Sequence, residues 1–261
     1  MRNIKFIIEY DGTKYNGWQS QKNGIGIQEM ITNAIHQVTG EEIKINGSGR
    51  TDAGVHAMGQ TANFLTDSTI PIEKFPTAVN SFLPKDIVIK SAEEMDEKFH
   101  ARYSVRGKKY MYIINNSKIR SALDFYREYH INQELDYKKM KKASEYFEGT
   151  YDFRGFMASG SSVKDTIRTI TKVQMKKRDD GRIIFSFTGD GFLYNMVRII
   201  VGTLVEVGLG KIKPEEITDI IKSKDRARAG KTVPAQGLYL VEVYYWWTFQ
   251  KYFLLLRIIL N

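Results

Sequence analysis

Apolar and polar positions change period several times along the chain, and each period marks an element. Ile4-Lys5-Phe6-Ile7-Ile8-Glu9-Tyr10 reads as a strand stopped by Asp11-Gly12, a strong turn signal. From Ile27, apolar residues return at i+3, i+4, i+7, i+8 and i+11 (Met30, Ile31, Ala34, Ile35, Val38). That is one stripe of a helix, and Gly40 ends it. Residues 42–46 alternate like a short strand and 59–65 form another. A short helix is expected around 72–82, and 86–90 closes the half as a strand. The order is β-α-β-β-α-β, the signature of a ferredoxin-like split βαβ unit.

The second half opens with a strand at 108–114, where Tyr110 and Tyr112 share one face and Lys109, Met111 and Ile113 the other. A further strand is expected at 125–131. Residues 136–147 pattern as a helix with Asp136 near its start and Lys138, Lys139, Lys141 and Lys142 on the wet side. Residues 167–176 and 182–187 flank Asp179-Asp180-Gly181 as a hairpin. Residues 193–207 are apolar on most sides, so they predict a buried helix. Pro214 suits the first turn of another helix, and 238–243 reads as a closing strand. The fold class expected is therefore α+β, with two such halves. The first spans 1–100 and the second 101–245, followed by an apolar tail at 246–261. No Pro-rich or Ser-rich linker separates the halves, which points to packing with a cleft between them.

Charge changes the picture more than bulk composition does. At 261 residues and 42% hydrophobic, the chain can bury a sizeable core in one large or two modest domains. Lys and Arg number 39 against 30 Asp and Glu, a net charge of +9. Residues 1–100 carry −3 and 101–261 carry +12. An excess of this size, gathered in one half, suits a polyanionic partner; its plainer meaning is a solvated lysine face. There are no cysteines, which excludes disulfides, thiolate metal sites and thiol catalysis. The four histidines are scattered, with no pair at metal-ligand spacing. The N-terminus has no apolar signal core, so a cytoplasmic location is expected.

Three segments carry chemistry. The densest is Gly47-Ser48-Gly49-Arg50-Thr51-Asp52-Ala53-Gly54-Val55-His56-Ala57, a tight glycine-shaped loop between predicted strands. Its spacing is neither a phosphate-binding loop nor a dinucleotide fingerprint. It reads either as an ordinary Asx-capped turn or as a carboxylate held beside an arginine. In the second case the acid stays ionised and serves as nucleophile or base. The second segment, from Phe99-His100-Ala101-Arg102 to Lys109-Tyr110-Met111-Tyr112, interleaves cations with tyrosines. Such a surface binds phosphates and stacks bases, although strand alternation alone produces the same pattern. The third is Phe192-Leu193-Tyr194-Asn195-Met196-Val197-Arg198, where an arginine on an otherwise apolar helix calls for an acidic partner.

Together these segments resemble the tRNA pseudouridine synthase A family. The matches run in order over about residues 3–245. They include Tyr10-Asp11-Gly12, Gly17-Trp18-Gln19, the whole Gly49 to Ala57 string and Lys164-Asp165-Thr166-Ile167-Arg168-Thr169-Ile170. They end with the Phe192 to Arg198 segment and Pro234-Ala235-Gln236-Gly237-Leu238. Departures are small: Tyr151-Asp152-Phe153 stands where members often have His-Asp-Phe, and Gly26-Ile27-Gln28 where they often have Thr-Val-Gln.

The resemblance implies the pseudouridine synthase fold: two RRM-like halves with antiparallel sheets meeting at a central basic cleft, in a homodimer. It implies detachment of uracil from ribose at N1 and reattachment through C5, at uridines 38, 39 and 40 of the tRNA anticodon stem-loop, without metal or organic cofactor. Asp52 takes the place of the essential carboxylate, with Arg50, Tyr110 and Arg198 around it. Breaking the glycosidic bond develops positive charge at the anomeric carbon, which a carboxylate can stabilise or attack; it can also remove a nearby proton. An aromatic face at Tyr110 suits the freed base, and its hydroxyl suits transfer of the C5 proton. Arg50 suits the space left by a flipped base or a phosphate, and Arg198 suits a pair with Asp52. Arg102, Arg106, Lys108, Lys109, Arg154, Lys164 and Arg168 are the candidates for the tRNA backbone.

Two other readings compete. A non-catalytic RNA-binding module fits the start of Arg154-Gly155-Phe156, but Met157-Ala158-Ser159 breaks the signature. A glycoside hydrolase also works at an anomeric carbon, but that chemistry usually needs two carboxylates and the loop has one. The tail at 246–261 holds Gln250, Lys251 and Arg257 among aromatic and aliphatic residues, a poor membrane span. Docking onto the body or a second copy is expected there, not a membrane.

Overall fold

The computed structural model describes residues 1–19, 24–161 and 163–245. The chain forms two compact units, Met1–Lys108 together with 240–245, and Lys109–Tyr239. The tail at 246–261 lies outside the described residues.

In the first unit, β1 (Arg2–Tyr10), α1 (Ile27–Thr39), β2 (Asn46–Gly47), β3 (His56–Thr66), α2 (Phe75–Asn80) and β4 (Ile87–Met95) follow the expected β-α-β-β-α-β order. β1 lies between β4 and β3, antiparallel to both, and β2 pairs with β3. Ile4, Phe6 and Ile8 of β1 turn inward as alternation requires. Phe6, Phe64 and Phe75 meet edge to face, with centroids 5.1 to 6.2 Å apart. Ile27, Ile31 and Ile35 of α1 are buried, so the predicted stripe faces the core. Gly40 ends α1 at φ +73°, its N–H returning to the His36 carbonyl.

Two expectations here need correction. The strand predicted at 42–46 pairs only at Asn46 and Gly47. Upstream, side chains take the place of a ladder: the Glu41 carboxylate accepts from Thr66 and from the Asp67 N–H, and the Ile45 carbonyl accepts from Gln28. The helix expected at 72–82 is a single 3-10 turn at Ile72–Lys74 followed by the six-residue α2, with Pro76 in the first turn.

In the second unit, β5 (Gly107–Asn115), β9 (Arg182–Gly189), β8 (Ile167–Lys177) and β7 (Gly149–Asp152) lie in that order. The β7–β8 and β8–β9 pairs are antiparallel. α3 (Tyr137–Glu145) starts on Asp136, whose carboxylate accepts from the Lys139 N–H. α4 (Met196–Gly208) is buried on nearly every side, as its composition demands. α5 (Glu216–Ser223) follows, and β10 (Leu238–Tyr244) is the last element among the described residues.

The strand expected at 125–131 shrinks to β6 (Tyr129–His130), parallel to β5. The residues before it turn instead, because Asp124 accepts from Ser121 and its carbonyl holds the Arg127 N–H. α4 begins three residues later than its apolar run, since Asn195 takes a left-handed backbone at φ 60°. β7 was not expected from the pattern.

Candidate active site

Asp52 sits on the link from β2 to β3, and the first unit fixes that link from several sides. Ser48 donates its N–H to the Thr61 carbonyl and its hydroxyl to Gln60, whose amide returns a hydrogen bond to the Gly49 carbonyl. The Thr51 carbonyl accepts from the Trp18 N–H at 3.1 Å. The Thr51 hydroxyl meets the Tyr10 phenol at 2.8 Å in the interior. The Asp52 carbonyl accepts from the Val55 N–H across Ala53 and Gly54, and Gly54 has φ +76°. A glycine is therefore required in the third position of this turn.

Two glycines let backbone approach backbone at the loop, and a third admits the Trp18 ring. A Cβ on Gly17, at φ +86°, would sit 2.2 Å from the Thr51 carbonyl oxygen. One on Gly12 would meet the Val55 oxygen at 2.0 Å, and one on Gly47 would enter the Trp18 indole. The motif pairs Tyr10-Asp11-Gly12 and Gly17-Trp18-Gln19 thus serve as a scaffold for the Asp52 turn. His56 adds to it: its Nδ1 accepts from the Gly12 N–H at 3.0 Å and lies 3.2 Å from Asp11.

Within this frame Asp52 is half-buried and Arg50 is exposed. Lys108 is half-buried, and its ammonium donates to the Ser48 carbonyl at 3.1 Å, lying over Gly49. Burial, with help from the nearby Arg102 charge, lowers the Lys108 pKa to about 8. Burial also pushes the Tyr10 phenol up, so it stays a neutral partner for Thr51.

In the second unit, Tyr110 is buried against Phe192, edge to face at 5.1 Å. Arg198 is half-buried on α4; its Nε donates to the Val233 carbonyl and one terminal nitrogen to Asn195 Oδ1, both at 2.7 Å. The neighbouring Tyr112 hydroxyl donates to the Pro234 carbonyl at 2.7 Å, and burial pushes that phenol far up.

Of the expected backbone-binding cations, Arg102, Arg106, Arg154 and Lys164 are exposed, and Lys109 and Arg168 are half-buried. One Arg168 nitrogen donates to the Asp165 and Ile167 carbonyls. The sequence motifs include Tyr10 and Asn195 but give no role to either, and they do not show the Lys108 ammonium on the Ser48 carbonyl. Among the described residues no cluster of three or more His, Asp or Glu is placed to hold a metal. None of the described helices is long and apolar enough to cross a membrane.

The first unit thus presents one half-buried carboxylate on a tight turn, with an exposed arginine two residues before it. Comparison with known proteins identifies its class. The tRNA pseudouridine synthase family model matches residues 6–104 and 143–246. Over 245 residues, 94% of this chain and all of the relative, it is 57% identical to tRNA pseudouridine synthase A of Acetivibrio thermocellus. The same coverage holds at 53% identity for the enzyme of that name in Ruminiclostridium cellulolyticum and at 52% for that of a Thermoanaerobacter species. The chain belongs to the tRNA pseudouridine synthase family. It is an isomerase that converts uridine to pseudouridine in tRNA.

Proposed function

We propose that Asp52 is the essential nucleophile or base of this isomerisation, acting on uridines 38, 39 and 40 of the tRNA anticodon stem-loop. The N1–C1′ bond of the target breaks, the freed uracil turns, and a C5–C1′ bond forms. C5 loses its proton and N1 gains one, so atoms and charge balance without a second substrate or a cofactor. A half-buried carboxylate on a rigid turn suits this chemistry, because a preorganised charge stabilises positive charge developing at C1′ without further reorganisation.

Arg50, exposed two residues away, takes the space of the flipped base or a phosphate. Tyr110 and Arg198 are the second unit's contributions, an aromatic face for the uracil and a cation serving the same reaction. Arg102, Arg106, Lys108, Lys109, Arg154, Lys164 and Arg168 hold tRNA phosphates, with Lys108 acting beside the Asp52 loop. The reading takes the enzyme as a cytoplasmic homodimer, which the family resemblance supports.

The single observation that carries this reading is the Asp52 turn, held on both sides by backbone hydrogen bonds and by glycines that no side chain can replace. The test is chemical mapping of pseudouridine in tRNA with wild type and Asp52→Ala, beside a tRNA-binding measurement. Loss of product with binding retained is expected. Turnover by Asp52→Ala, or product at sites outside 38–40, would sink the assignment of residue or of target respectively.

A further inference from the structure

We infer that Asn195 is a positioning residue whose work is to aim the Arg198 guanidinium. The inference rests on the proposed role of Arg198, and its test separates the two. Asn195 is one of only two non-glycine residues with positive φ among those described, at φ 60° and ψ 9°. A left-handed backbone is strained for a residue that carries a side chain, although Asn bears it better than most residues.

The second observation concerns what its side chain does not do. Asn195 is the N-cap of α4, a position where an Asn oxygen normally accepts a free N–H of the first turn. No such bond is made. The oxygen instead accepts from Arg198 at 2.7 Å, three residues along the helix. The left-handed turn thus aims the amide oxygen along α4, away from the capping position.

The beneficiary is held at a second point. Arg198 Nε donates to the Val233 carbonyl at 2.7 Å. A planar guanidinium fixed through two of its nitrogens has its plane and direction set, where one bond would leave it free to swing. Backbone strain and a forgone cap at a helix start have no structural return of their own here. They make sense as the cost of orienting this one cation.

Three substitutions separate the elements of the argument. Asn195→Gly adopts the left-handed backbone freely but removes the oxygen. Asn195→Asp keeps the oxygen in place. Arg198→Ala removes the cation. The readouts are kcat and KM for tRNA pseudouridine formation and the thermal midpoint. Asn195→Gly is expected to lower kcat about 10- to 100-fold, the scale of a small misplacement of a reacting group. KM should change little, and the thermal midpoint should not fall. Asn195→Asp should stay within a few-fold of wild type, and Asn195→Gly should add little loss on the Arg198→Ala background.

Wild-type kcat in Asn195→Gly, with Arg198→Ala impaired, overturns the inference alone. So does an Asn195→Asp defect as large as that of Asn195→Gly, or a full additive loss in the double variant. Wild-type turnover in Arg198→Ala overturns both the role of Arg198 and the inference that depends on it.

Discussion

The Tyr10 phenol and the Thr51 hydroxyl lie 2.8 Å apart, and both residues are more than nine-tenths buried. Thr51 immediately precedes Asp52, so a bond in the interior of the first unit sets where the proposed catalytic carboxylate begins. Removing one partner leaves the other polar group buried, at about 1–3 kcal/mol, whereas removing both is far milder. Tyr10→Phe and Thr51→Val should each lower the thermal midpoint and kcat. The double variant should be more stable than the sum of the two predicts, which thermal melts in a double-mutant cycle will measure.

Gly17 offers a sharper probe of the same turn. Gly17→Ala places a Cβ 2.2 Å from the Thr51 carbonyl oxygen at a φ that alanine rarely adopts. The backbone on either side must shift. A stability loss of about 1–3 kcal/mol is expected, with a fall in kcat larger than that of a surface Gly→Ala. Gly40→Ala is the control, since its φ is also positive but no atom lies within 4 Å of the added carbon.

The Lys108 ammonium gives a pH signature. Its pKa falls from 10.5 to about 8 on folding, chiefly through burial. Below pH 8 both folded and unfolded chains carry the proton, and the fold bears the full cost of burying it. Between about 8 and 10.5 the unfolded chain holds more protons, so stability contributed at this site rises with pH. The thermal midpoint of wild type relative to Lys108→Met should therefore climb from pH 7.5 to pH 9.5. A gap that stays constant would show that Lys108 keeps its ordinary pKa.

Stability and activity should separate at Glu128. This carboxylate, 4% exposed, accepts from Arg182 at 2.7 Å and from Asn115 at 2.5 Å. Arg182 also binds Asp124 and Asp180. Arg182→Ala leaves a buried charge without its cation and should cost about 3–5 kcal/mol, read in urea unfolding. At temperatures where the variant stays folded, kcat should be near wild type.

Much of this was legible in the sequence, for identifiable reasons. The α1 stripe and the α4 apolar run reported themselves because burial on one face or on all faces leaves a period. The Asp52 turn was legible because glycines crowd where backbone must approach backbone. Three things left no such trace. Alternation along β5 puts Lys108 on the same face as the buried Tyr110 and Tyr112, but nothing in the pattern shows that its ammonium is received by the Ser48 carbonyl. Asn195 carries no local mark of its backbone beyond being a residue that tolerates it. The shortened strand at 125–131 lost its pairing to a turn built by Asp124 and Ser121, polar residues whose role depends on geometry.

The return of 240–245 to the first unit has a consequence for biosynthesis. Gly59 of β3 lies against the Val241 carbonyl, the Arg106 N–H bonds to the Tyr244 carbonyl, and the Tyr245 hydroxyl bonds to the Ala101 carbonyl. The ribosome makes Ala101 and Tyr245 at positions 144 residues apart. The unit that carries Asp52 is therefore completed only after 109–239 have been made. A nascent chain stalled before residue 240 holds an open β3 edge, so the unit that carries the Asp52 turn lacks part of its packing until 240–245 have been made.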